Sequence, residues 1–316
     1  MRILITGGAG YKGSIISERL ANQGHKIKIV DTMWFGNNLK KNKNINIIKK
    51  DIRELKKKDF KGINSVIHLA NIANDPSVKI NPLLSWEINV LETERLINLC
   101  IMNKVKKFIY ASSGSVYGVK KEKKVTEKSS LVPISYYNKT KMISERVLLS
   151  YKNKIKVICI RPATVCGISP RMRLDTTVNM LTYQAIKNGQ ITILGGKQIR
   201  PNVNIIDMSR IYEYFINNNK LNEGIYNAGF ENLSINQIAK KIAKKTKAKI
   251  LYKKNNDVRS YRLDSSKLLR TGFKTINSVD KTIDDLIIYF SQNKIDKSKC
   301  ENINWMKKNI NYGKIS

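Results

Sequence analysis

The chain has 316 residues, with 59 Lys and Arg against 24 Asp and Glu, a formal charge of +35 and 41% hydrophobic residues. That length holds two domains or one large α/β unit whose core needs no staples, and the apolar fraction excludes wholesale disorder. Only two histidines and four scattered cysteines (Cys100, Cys159, Cys166 and Cys300) exclude a disulfide scaffold, a zinc ribbon and a multi-histidine metal site, and fit a reducing compartment.

The first half alternates short Ile- and Val-rich runs with amphipathic stretches. Strands are predicted over 2–6, 26–31, 45–49, 65–69, 107–112 and 156–161. Helices are predicted over 14–22, 82–102 and 136–151. Strands spaced by helices imply a parallel sheet covered on both faces, with right-handed crossovers: a doubly wound α/β fold. After about residue 165 the pattern loosens into loops at Pro170, Gly195-Gly196 and Pro201, with helices near 176–188, 207–217, 236–246 and 280–291. The expected division is a dinucleotide-binding domain over 1–165 and a smaller α/β substrate-binding cap over 166–316, with some segments crossing back. The N-terminus is a strand running into glycines rather than an export signal. No run approaches the ~18 apolar residues of a membrane span. The expectation is a cytoplasmic protein without a membrane partner.

The charge invites a nucleic-acid reading. However, 46 Lys, 34 Asn and 45 Ile make up about two-fifths of the chain, and all three have A/T-rich codons. The lysines are spread along the whole length without interleaved aromatics, unlike a base-stacking platform. Codon bias and a solvated surface account for them, and nucleic acid is not the expected partner.

The first loop, Thr6-Gly7-Gly8-Ala9-Gly10-Tyr11-Lys12-Gly13, lies between strand and helix. Glycines at 7, 10 and 13 suit a tight turn, a close approach of backbone to pyrophosphate, and close packing of helix on sheet. The helix N-terminus there, with Tyr11 and Lys12, faces the phosphates. Asp31, at the end of the second strand, can accept both ribose hydroxyls and repels a 2′-phosphate, which selects NAD. Asp51 and Ile52 follow the third strand, where a carboxylate could meet the adenine amine or simply cap a helix. Leu69 and Ala70 end the fourth strand and could line the cofactor, while His68 reads as a packed histidine.

Tyr137 and Lys141 are spaced i, i+4 on a predicted helix and share a face. A neighbouring ammonium favours phenolate and would bring the tyrosine down from its ordinary value near 10. The same lysine could hold the nicotinamide ribose. Ser113, in Ser112-Ser113-Gly114-Ser115-Val116-Tyr117-Gly118 after the fifth strand, sits where strand ends line a cleft.

These motifs, with Arg161-Pro162-Ala163-Thr164-Val165-Cys166-Gly167, stand in the order seen in extended short-chain dehydrogenase/reductases. From residue 1 to about 290 the chain resembles the NAD-dependent epimerase/dehydratase family, which acts on nucleotide sugars. The resemblance implies a Rossmann sheet, NAD as cofactor, and Ser113, Tyr137 and Lys141 as the catalytic set. It also implies a homodimer through a four-helix bundle built from the helices around 82–102 and 136–151. Gly195-Gly196-Lys197-Gln198-Ile199-Arg200-Pro201 resembles the family segment whose arginine grips the nucleotide diphosphate, a task suited to Arg200. Asp257-Val258-Arg259-Ser260-Tyr261-Arg262 resembles a second nucleotide-contacting stretch, with Arg259 and Tyr261 as candidates. Thr164 could meet the nicotinamide amide or the substrate. Asn204 stands where a histidine is common. Arg171 and Arg173 could contact an anionic substrate or could equally lie exposed.

The family's shared first step oxidises a sugar alcohol to a keto sugar. Dehydratases of the family follow the catalytic hydroxyl with an Asp-Glu pair, and here those positions are Gly114 and Ser115. The expected function is therefore a nucleotide-sugar epimerase acting through a transient 4-keto sugar. The alternatives are a keto-reductase, a 4,6-dehydratase, or, from another class, a non-catalytic RNA-binding or scaffold relative.

Overall fold

The computed structural model describes residues 1–254 and 260–310. Its strands in chain order are β1 (Arg2–Thr6), β2 (Lys26–Asp31), β3 (Ile45–Lys49), β4 (Ser65–His68), β5 (Lys107–Ala111), β6 (Lys156–Pro162), β7 (Thr164–Cys166), β8 (Gln190–Leu194), β9 (Ile199–Asn204), β10 (Gly224–Ala228), β11 (Glu231–Ser234) and β12 (Lys249–Lys253). Seven of them form one sheet in the order β10-β6-β5-β4-β1-β2-β3, and every pairing in it is parallel. The direction of winding reverses between β1 and β4. That opens a crevice beyond their carboxyl ends, where Thr6 pairs with His68.

The alternation of side chains along each strand divides the core. Ile3, Ile5, Ile29, Ile67, Ile109 and Ile158 face one side, packed with Ile16 and Leu20 of helix Tyr11–Asn22 and with Met208, Ile211 and Phe215 of helix Ile205–Asn217. Leu4, Val30, Val66, Phe108 and Val157 face the other, against Leu96, Ile97 and Leu148. Burial on both faces is why β1, β4, β5 and β6 read as apolar runs, while β2 keeps Lys26 exposed and Lys28 half-buried. Each fully buried Ile or Leu contributes roughly 1.5–3 kcal/mol.

The stretch read as one helix over 82–102 is broken. Asn81 caps its start by accepting from the Leu84 N–H, and a π turn over Glu87–Leu91 separates Pro82–Trp86 from Glu92–Met102. The wider turn exposes the Asn89 carbonyl, which accepts from Ser144 at 2.6 Å and Thr93 at 2.8 Å. The Asn89 amide holds the backbone of Ile72, at 2.9 Å from its N–H and 3.2 Å from its carbonyl. This fixes the loop after β4.

Beyond β6 the chain builds a three-stranded sheet, β11-β9-β7, and a parallel pair, β12-β8. A third apolar cluster, including Val178, Leu181, Ile238, Ile242, Ile283 and Phe290, packs helices Thr177–Asn188, Ile235–Thr246 and Val279–Gln292 together. β10 crosses back to pair with β6 at the edge of the main sheet. Among the described residues no helix is long and apolar enough to cross a membrane.

Candidate active site

A cavity of about 560 Å³ opens over the crevice, between the β1 turn, the loop after β4, the β5 turn and the segment after β7. A volume of this size suits a cofactor and a small substrate.

The glycine loop forms its floor. Gly7 has φ 71°, the region glycine favours, and its N–H bonds the Val30 carbonyl at 2.8 Å. A Cβ on Gly13 would stand 2.2 Å from the Gly7 carbonyl, so only glycine lets the helix come this close. The helix begins at Tyr11 after Gly10 without a side-chain cap, and its first N–H groups are available to an anion. Asp31 accepts from Ala9 N–H at 3.0 Å and Met33 N–H at 2.8 Å. Burial raises this carboxyl against those two bonds. The cradle, the uncapped helix start and the strand-end carboxylate together fit a dinucleotide.

Tyr11 points its hydroxyl across to the second half, donating to the Gly167 carbonyl at 2.8 Å and accepting from Asn179 at 3.0 Å. Lys12 lines the cavity. Burial, with Arg173 near, brings it down to about 8. Asp51 also lines the cavity with Ile52, and it caps the short helical turn it precedes, accepting from Arg53 N–H at 2.9 Å. Leu69 and Ala70 form the wall beneath. His68 is sealed below, 2.7 Å from Thr6 Oγ1 and 3.0 Å from Thr93 Oγ1, where burial and then the Lys141 charge hold it down to about 3.

Ser113 and Tyr137 reach the cavity from the β5 turn and from helix Tyr136–Ser150, and Ser113 is one of the groups that bring the Tyr137 phenol down. Ser135 starts that helix by accepting from the Asn138 N–H. The expected lysine effect takes a different form. Lys141 stands behind the lining, 6.0 Å from the Tyr137 ring centre and 4.7 Å from that of Tyr110. It donates to the Ala111 carbonyl at 2.7 Å. Burial, and then Lys12, hold the ammonium well below its ordinary value. Burial pushes the Tyr137 phenol up to about 12, opposed first by Arg173. The helical spacing does put both residues on one face, but the strand carbonyl captures the ammonium.

Thr164, Arg200 and Tyr261 also line the cavity. Arg259 lies outside the described residues. Arg171 and Arg173, left open by the sequence, both face the cavity. Arg171 stacks on Phe35 at 3.8 Å and donates to Asn302 at 2.5 Å. Arg173 grips Asp175 at 2.7 and 3.0 Å, and Asn74 donates to the same carboxylate at 2.7 Å. The sequence reading missed Asn74, Asp175, Trp34 and the C-terminal helix Asn302–Asn309, whose Trp305 stacks on Trp34 at 4.4 Å. The aromatic pair is separated by most of the chain, and no local pattern announces it.

Comparison with known proteins agrees with this geometry. The chain is 32% identical over 225 residues to the uncharacterized UDP-glucose epimerase YtcB of Bacillus subtilis, covering 63% of this chain and 67% of that one. It is 27% identical over 274 residues to a UDP-glucose 4-epimerase of Lactobacillus helveticus, covering 77% and 82%. The structure superposes on a UDP-glucuronic acid 4-epimerase from Bacillus cereus, solved with UDP-glucuronic acid and NAD. The TM-score is 0.84 at 27% identity, over 92% of this chain and 99% of that one. Residues 3–229 match the family description directly, and the chain belongs to the NAD dependent epimerase/dehydratase family.

Proposed function

We propose that this chain is an NAD-dependent nucleotide-sugar epimerase that inverts C4 through a transient 4-keto sugar. The observation that carries the reading is the convergence of Ser113 and Tyr137 on one cavity whose floor is the glycine loop. Gly7, Gly10, Gly13 and the N–H groups of Tyr11 and Lys12 would hold the pyrophosphate of NAD, with Asp31 on the adenosine ribose. Asp51 and Ile52 would flank the adenine, Leu69 and Ala70 the nicotinamide half, and Lys141 its ribose. NAD, when bound, supplies the hydride acceptor and then the donor.

Tyr137 Oη takes the proton of the sugar 4-hydroxyl and later returns it. Ser113 holds that hydroxyl in line. Thr164, Arg200 and Tyr261 position the nucleotide diphosphate, and Arg259 joins them in this proposal from its sequence context. A Cβ on Gly114 would stand 2.9 Å from Leu263 Cδ1 and 3.1 Å from the Pro162 carbonyl. The position is tight for any side chain, and the Asp-Glu pair of the family's dehydratases is replaced by Gly114 and Ser115, which favours epimerase over dehydratase.

The homodimer belongs to the same proposal. Leu83 (75% exposed), Leu91 and Tyr136 lie open on or beside the helices expected to pair, apolar area that a second copy would cover.

The test is incubation of the purified protein and NAD with UDP-, GDP-, CDP- and dTDP-sugars, followed by product identification. The expected result is a C4-inverted sugar without net NADH. Net reduction, loss of water, or no conversion across the panel would contradict the reading.

A further inference from the structure

The turn after β5 and the helix carrying Tyr137 are joined by a file of polar side chains. Ser113 Oγ lies 2.7 Å from Ser115 Oγ and accepts from the Ser115 N–H at 3.2 Å. Ser115 Oγ donates to Asn138 Oδ1 at 2.6 Å. At the other end Ser113 lines the cavity together with Tyr137 and is among the groups that bring its phenol down. Asn138 is completely buried, and its Nδ2 has no partner among the described residues.

The direction of protons along this file follows from counting donors. Ser115 gives its one proton to Asn138, so Ser113 gives its own to Ser115. Only a lone pair of Ser113 is then left for Tyr137, which suits a neutral phenol that donates. A half-turn of the Asn138 amide exchanges two ends of the same shape. Nδ2 then donates to Ser115, Ser115 donates to Ser113, and the Ser113 proton is left for Tyr137. Ser113 now accepts two hydrogen bonds and donates one, its full complement. The orphaned donor becomes an orphaned carbonyl, which burial tolerates better.

We propose that Asn138 and Ser115 are positioning residues, and that the Asn138 amide turns with the protonation of Tyr137 so that the Ser113 proton meets the phenolate. This rests on Tyr137 as the acid–base group. Each orientation satisfies one protonation state, so the file stabilises the phenolate only when the amide nitrogen faces Ser115. The other charged or titratable groups acting on the phenol are Arg173, Asp75 and Tyr261, with Lys141 behind its ring.

The test uses the full chain loaded with NAD and labelled with 13C at the tyrosine Cζ, the Tyr137 signal being the one absent from Tyr137→Phe. Asn138→Asp supplies an acceptor only and locks the file for a neutral phenol. The Tyr137 midpoint is expected to rise by one pH unit or more. In a Ser115→Ala background the same substitution should shift it less than half as far, since the file is cut and only the carboxylate's charge remains. Asn138→Leu, uncharged and without an acceptor, should leave the midpoint unchanged or lower. Ser115→Thr should keep the wild-type response. Equal shifts from Asn138→Asp in both backgrounds, or a rise from Asn138→Leu matching that from Asn138→Asp, would overturn the proposal. Failure of the underlying reading shows separately, as full sugar turnover by Tyr137→Phe.

Discussion

The Lys141 ammonium bonds the Ala111 carbonyl at 2.7 Å while standing 6.0 Å from the ring centre of Tyr137. It is a buried cation held by the carboxyl end of β5, and burial disfavours its charge. Lys141→Met should therefore raise stability by about 1–2 kcal/mol in urea unfolding. In the same variant sugar turnover should fall by roughly 10²–10⁴. A destabilised variant that keeps its activity would show that this lysine is structural.

Asp31 ties the glycine loop to the next strand through Ala9 and Met33. Its carboxylate is also the proposed ribose acceptor. Asp31→Ala should weaken NAD binding roughly tenfold to a hundredfold, as expected for lost hydrogen bonds to a charged group. Calorimetric titration with NAD reads this directly, and an unchanged affinity would place the ribose elsewhere.

His68 is neutral in the fold, its imidazole held down to about 3 by burial and then by Lys141. Unfolded, it takes a proton near pH 6.5. The unfolded chain thus binds more protons between these values, and stability falls as pH drops from 6.5 toward 3. At pH 5 the loss from this residue is about 2 kcal/mol. His68→Gln should lose less stability than wild type between pH 7 and pH 5 by that amount. Identical losses in urea unfolding would mean that the imidazole titrates normally.

The extent to which the sequence foretold this structure differs by element. β1, β2 and β3 match their Ile- and Val-rich runs residue for residue; β1 is buried throughout beyond Arg2, and in β2 and the edge strand β3 the closely spaced isoleucines carry the signal past the exposed Lys26, Asn46 and Lys49. The helix over 82–102 was misread because its π turn is set by partners far away in sequence, Ile72 and Ser144. Within the site, the glycine loop and Tyr137 announce themselves through local spacing. Asn74, at φ 73°, and Asp175 meet across 101 positions, and Arg171 finds its place only through Phe35 and Asn302. Those contacts are products of folding and have no local signature.

The central claim is that the Tyr137 oxygen moves the proton of the sugar alcohol. The most direct measurement compares wild type and Tyr137→Phe for turnover of the nucleotide sugar identified in the panel, with NAD and sugar-nucleotide affinities measured alongside. The account predicts a loss of roughly 10²–10⁴ in turnover with both affinities retained. Full activity in Tyr137→Phe would contradict it.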